Sequence, residues 1–149
     1  MENQKIKALS LWQPWASLIT HGHKQYETRS WFTDYRGTLL IHAAKRTGEQ
    51  IQKDTAFILQ NKHNIRLDWG DLPLGQLVCI CDLVDCIPIT GDVRRRLSQQ
   101  EKVCGDWSSG RWAWDLRNVR AIDPLIPLRG RQGLFNVDSS LLINHNILR

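Results

Sequence analysis

No apolar run in this 149-residue chain approaches the ~20 residues that a helix needs to cross a bilayer. The opening MENQKIKALSL is too polar to hold the apolar core of a secretory signal. The expectation is a cytoplasmic protein with no membrane partner. A paired cysteine motif is lacking too: Cys79, Cys81, Cys86 and Cys104 do not form the two short-spaced pairs of a zinc site. Cys81-x4-Cys86 with His21 or His23 is a poor substitute, so neither metal nor cofactor is expected. The thiols are read as reduced and structural, and Cys79 and Cys81, two apart, would face one side of a strand. Internal repeats, linkers and low-complexity tracts are missing as well. Residues 1–149 are therefore read as one domain, acting as a monomer and long enough to bury a core without disulfide or metal.

What the chain does have is tryptophan and a mild positive charge. Seven tryptophans are many for this length, and the net charge is +5. Between Asp92 and Arg131 nine Lys/Arg stand against five Asp/Glu, so most of the excess lies there. Arg94, Arg95 and Arg96 read as a patch that tracks a phosphate backbone, adding salt-dependent affinity without sequence information. Arg111, Arg117, Arg129 and Arg131 would extend it if the fold brings them near. A solvated polar face is the plain alternative.

Ile6 to Leu11 reads as a short strand. Pro14 suits a first helical turn, where its missing N–H has no partner to lose, and Trp15, Leu18 and Ile19 give an inward stripe. Gly22 can stop that helix in a left-handed conformation, giving a helix of about Pro14 to His21. From Lys24 to Trp31 the chain alternates as a strand or extended loop, with Lys24, Tyr26 and Thr28 opposite Gln25, Glu27 and Arg29. Arg36-Gly37 turns the chain into a strong strand, Thr38 to Ala43. Thr47 or Gly48 opens a second helix reaching about Lys62, and residues 63 to 74 are irregular. Gly75 to Ile89 is β-rich, Arg94 to Lys102 a short polar helix or ordered loop, and Arg111 to Ile122 a strand bent near Asn118. Pro124 and Pro127 break the chain; Leu134 to Val137 and a last short helix in Asp138 to Arg149 follow. Short strands with two real helices argue against a parallel βαβ layout. They fit an α+β fold, a small closed or half-closed β-barrel with flanking helices.

The densest chemistry is Gly22-x-Lys24-x-x-Glu27-x-Arg29. Lys24 offers a point charge and Arg29 a planar fork, both suited to phosphate. Glu27 could hold either cation, accept from an exocyclic amine as a carboxylate does from cytosine N4, or serve as a general base. An ion-paired surface strand is the bland reading. Trp12 and Trp31 bracket the motif and are candidates to stack an unpaired base, although core packing is the usual fate of a tryptophan. His21 and His23 read as helix-end histidines, and His42 as a satisfied core or barrel histidine.

Leu9-Ser10-Leu11-Trp12-Gln13-Pro14-Trp15-Ala16 with Gly22-x-Lys24-x-x-Glu27-x-Arg29-x-Trp31 resembles the ASCH domain, the activating signal cointegrator homology domain. Arg36-Gly37-x-Leu39-x-Ile41-x-Ala43, Gly75, Asp82-Leu83-Val84-Asp85-Cys86, Trp112-Ala113-Trp114-x-Leu116 and Gly130-x-x-Gly133-Leu134-Phe135 continue the match. The family is similar to PUA domains, so the resemblance implies a small PUA-like β-barrel with flanking helices. It also implies a cleft between barrel and first helix lined by the motif residues. Its members are associated with RNA or nucleotide handling and some with DNA. The expectation is therefore binding of RNA or single-stranded DNA through Lys24, Glu27, Arg29, Trp12, Trp31, Arg36, Arg94, Arg95 and Arg96. The resemblance leaves an enzyme open, because some small relatives are amidohydrolases acting on acylated cytidine and others have been described as ribonucleases. Lys24 and Glu27 would then be catalytic. The amidohydrolases, however, carry a Thr nucleophile where this chain has Glu27, and a carboxylate cannot supply that hydroxyl. Asp82 or Asp85 would approximate their carboxylate partner. A protein-interaction module is the third reading.

Overall fold

A computed structural model describes residues 4–46, 50–143 and 145–147. The chain runs through β1 (Lys5–Leu11), α1 (Trp15–Thr20), β2 (Tyr26–Arg29), β3 (Gly37–Ala43), α2 (Gln50–His63) and β4 (Gln76–Pro88). It continues through α3 (Gly91–Arg95), α4 (Gln99–Val103), β5 (Trp112–Pro127), β6 (Leu134–Asp138), a 3-10 turn over Ser139–Leu142 and β7 (Asn146–Ile147). The strands form one mixed sheet in the order β2-β5-β4-β3-β1-β6, with β7 on the far half of β5. The path ends at β2 and β6, so the barrel stays open along that seam. Among the described residues no helix is long and apolar enough to cross a membrane.

Three expectations change. The connection from β1 to β3 carries α1 and β2, and it sets β1 parallel to β3, Leu9 opposite Ile41. Among the described residues, one parallel pair therefore sits in an otherwise antiparallel sheet. Pro124 and Pro127 do not break the chain: both lie within β5, whose Ile126 pairs with Leu77 and Pro127 with Gln76. The tail is a 3-10 turn and a short strand, with Ile147 opposite Ile122, rather than an α-helix. Thr47 and Gly48, the expected start of the second helix, lie outside the described residues.

Both faces of the central strands are covered, which explains their nearly unbroken apolar runs. Leu9, Leu11, Leu39, Ile41, Cys79, Cys81 and Trp114 pack on one face with α1. Ala8, Leu40, Ile80, Phe135 and Val137 fill the other. All four thiols are free and buried. Burial raises the Cys79 thiol to about 11 and also raises Cys81 and Cys86, which keeps them protonated. At the start of α1 the buried Gln13 side chain accepts from the Ser17 N–H at 3.0 Å and donates to Pro73 O at 2.9 Å. That anchors the helix to the loop before β4. The bend near Asn118 is present, with Asn118 at φ +55.

Candidate nucleic-acid interface

Gly22, at φ +81, ends α1 in the left-handed region that a glycine takes without strain. The chain then folds back, and the N–H groups of His23 and Lys24 donate to Leu18 O at 2.9 and 3.1 Å. This return turns Lys24 inward. Its Nζ has no exposed surface, donates to Cys104 O at 2.6 Å and sits 3.6 Å from Glu27 Oε1. The Trp15 ring lies 5.8 Å away. Glu27 Oε2 accepts from the Arg29 guanidinium at 3.2 Å, and Arg29 lies 5.9 Å from the Trp31 ring centroid. Trp31 in turn meets the core residue Trp114 edge-on at 4.8 Å. The motif is thus a relay of alternating charge that runs outward from core to surface. Simple alternation separates Lys24 from Glu27, but β2 starts only at Tyr26, which leaves Lys24 in the preceding turn and able to reach the carboxylate.

A second buried carboxylate holds this strand in place. The N–H groups of Gln25 and Tyr26 donate to Glu101 at 2.8 and 3.3 Å, and Trp107 Nε1 donates to Glu101 O at 3.0 Å. Glu101 thereby ties α4 to β2. Beyond α4, the Asp106 N–H donates to Thr28 Oγ1 at 3.1 Å, and Arg111 donates to Thr28 O at 3.1 Å while pairing with Asp106 at 3.6 Å. Hydrogen bonds from Ser108 hold the Asp106 carboxyl below its ordinary range.

These elements surround a cleft of about 2100 Å³. Among the described residues six cations line it, Arg29, Lys45, Arg46, Arg111, Arg129 and Arg131, against two carboxylates, Glu27 and Asp106. Trp12, Trp15 and Trp31 form part of the wall. Trp12 is 38% exposed, and the Arg46 guanidinium stacks 4.8 Å from its ring centroid. At the other end the loop 128–133 closes over Ser10 and His42. Ser10 Oγ lies 2.9 Å from His42 Nδ1, and His42 Nε2 lies 2.6 Å from Leu128 O. Gly130 passes so close that a Cβ there would meet the His42 ring at 2.7 Å. Burial lowers the His42 pKa and keeps the ring neutral.

The structure brings Glu27, Arg29, Trp12 and Trp31 to one cleft and separates the other expected residues from it. Lys24 lies beneath the cleft rather than in it, because its ammonium is committed to Glu27 and Cys104. Arg36 pairs with Asp85 at 3.7 Å and donates to Thr33 O and Tyr35 O. Arg94 donates to Trp107 O and Ser109 Oγ, Arg95 pairs with Asp92, and Arg96 is exposed; none of the three lines the cleft. Arg111, Arg129 and Arg131 do reach it, whereas Arg117 pairs with Asp115 at 2.9 Å. Asp82 and Asp85 are not in the lining: Asp82 faces Arg120 and Asn118. His21 is exposed at the end of α1. Sequence reasoning missed Lys45 and Arg46, although two cations just past a strong strand are a signal for a sheet-end site. It also missed Gln52, Glu101 and Asp106, which no local pattern marks.

The chain belongs to the ASCH domain family, whose sequence profile matches residues 9–126. Activating signal cointegrator 1 from Mus musculus and from Homo sapiens are each 29% identical over 136 residues, covering 89% of this chain and 22% of theirs. The chain therefore spans about a fifth of the length of these curated relatives. The crystal structure of ASCH from Zymomonas mobilis matches with a TM-score of 0.58 at 16% identity, over 92% of this chain and 90% of that one. A mutant form of that protein matches at 0.56 and 17%, over 95% and 94%. At such identity the likeness shows the fold, an α+β PUA-like architecture.

Proposed function

We propose that residues 1–149 act as one monomeric ASCH unit that binds RNA or single-stranded DNA through this cleft. The observation that carries the reading is its lining, six cations and three tryptophans around one groove. Arg29 and Arg111 are fixed by carboxylates and so present their remaining donors with little entropy to lose. Guanidinium forks of this kind suit phosphate. Lys45, Arg46, Arg129 and Arg131 are exposed around the groove and supply the diffuse attraction that follows a strand. Exposed Trp12 and half-buried Trp31 offer faces for stacking, which needs an unpaired base and so favours a single strand over a duplex. Lys24 serves as a positioning residue: it holds Glu27, and Glu27 aims Arg29.

Hydrolysis has weaker support. A catalytic lysine must reach its substrate, and the Lys24 ammonium is sealed from solvent. Glu27 is shared between two cations, and Asp82 and Asp85 lie outside the cleft. The test is to incubate the protein with end-labelled single-stranded RNA and DNA and run native and denaturing gels from the same tubes. A shifted, intact strand is expected. Shortened strands that disappear with Glu27→Gln would make the protein a nuclease, and no shift would contradict binding.

A further inference from the structure

Gln52 lies in the first described turn of α2, is 1% exposed and lines the cleft. Its Oε1 is buried and accepts no hydrogen bond from the described residues. A buried carbonyl oxygen without a donor costs the fold stability, which is why such atoms are rare and call for an explanation. The other buried polar groups nearby are satisfied: Lys24 by Cys104 O and Glu27, His42 by Ser10 and Leu128 O. An unpaired acceptor on a cleft wall points to a donor that arrives with the ligand.

We infer that Gln52 reads a base, its Oε1 accepting an N–H from the exocyclic amino group of an unstacked adenine, cytosine or guanine. The assignment rests on the nucleic-acid reading of the cleft and specifies which bases that cleft prefers. The charge distribution supports it. Exposed cations, Arg46, Arg129 and Arg131, suit phosphate, while the wall residue Gln52 carries the one buried side-chain acceptor that no described residue meets. Acceptors match a base edge that carries an amino group. Uracil and thymine carry no amino group and offer only a ring N–H, whose flanking carbonyl oxygens would crowd the same acceptor.

The experiment uses 5′-labelled hexauridylate with one internal residue left as uridine or replaced by cytidine, adenosine or guanosine, read by fluorescence anisotropy. The wild-type protein is expected to bind at least one amino-bearing oligonucleotide about five- to tenfold more tightly than the all-uridine strand. Gln52→Met, similar in length but without the amide, should bring all four within about twofold of one another. Its melting temperature, measured alongside, reports any packing lost with the amide. Equal wild-type affinities, a preference for uracil, or discrimination that survives Gln52→Met would each overturn the assignment. A Gln52→Met protein that melts earlier yet still discriminates would make Gln52 a packing residue only. If no oligonucleotide binds, the reading of the cleft fails and this one with it; binding without discrimination removes the Gln52 assignment alone.

Discussion

Lys24, Glu27 and Arg29 form a graded set in which each charge depends on the one beneath it. Glu27→Gln leaves the Lys24 ammonium buried opposite a neutral amide, and the expected cost is about 3 kcal/mol, measured by urea unfolding. Adding Lys24→Met should recover part of that loss, since a neutral pair leaves no charge uncompensated; a double variant no better than the single would contradict the coupling. Trp12→Ala, at an exposed wall position, should weaken single-strand binding roughly tenfold with little change in stability. His42 gives a pH signature. Its folded pKa lies below the ordinary histidine value of 6.5 because burial disfavours the cation. Above that value the ring is neutral folded or unfolded, and there is no penalty. As pH falls below about 6.5 the unfolded ring takes up its proton first, so stability should decline, and His42→Gln should flatten that part of the profile. At this scale the sequence marks Glu27, Arg29, Trp12 and Trp31 well, because the spacing of the motif is local. It misplaces Lys24, because the turn that buries it depends on Gly22 and on the distant carbonyl of Cys104.

Between elements the important joint is the one from α4 to β2. Two backbone donors, at Gln25 and Tyr26, end on Glu101, so Glu101→Ala should cost about 2 kcal/mol in thermal or urea unfolding and weaken binding as β2 loosens. Unchanged stability and affinity would show that β5 alone holds the strand. Such a joint has no local signature, since a glutamate in a short polar helix looks solvated until the fold sets it beside β2. The elements themselves are largely legible: Pro14 and Gly22 bracket α1, and alternation gives β1, β3 and the first half of β5. The second half of β5 is obscured by Pro124 and Pro127, which take strand positions that a propensity argument denies them. The parallel pairing of β1 and β3 is likewise invisible in periodicity, because a strand buried on both faces reads alike in either direction.

For the molecule as a whole, the question is where its modest excess charge is concentrated. The composition gives the sign, and the fold decides the place: Lys45 and Arg46, Arg111, and the loop that carries Arg129 and Arg131 converge on the cleft from separate parts of the chain. The Arg94–Arg96 run, the most conspicuous basic stretch, is spent on local partners or lies away from the groove. Affinity for a labelled single-stranded RNA, followed across salt concentration in the wild type, Arg129→Ala/Arg131→Ala and Arg94→Ala/Arg95→Ala/Arg96→Ala proteins, tests this most directly. Log K should fall linearly with log salt. The Arg129/Arg131 double variant should flatten the slope by about 1.4, ~0.7 for each phosphate no longer neutralised, and the Arg94–Arg96 triple variant should leave it nearly unchanged. A slope that moves with the triple variant and not with the double, or affinity indifferent to salt, would contradict the cleft as the binding surface.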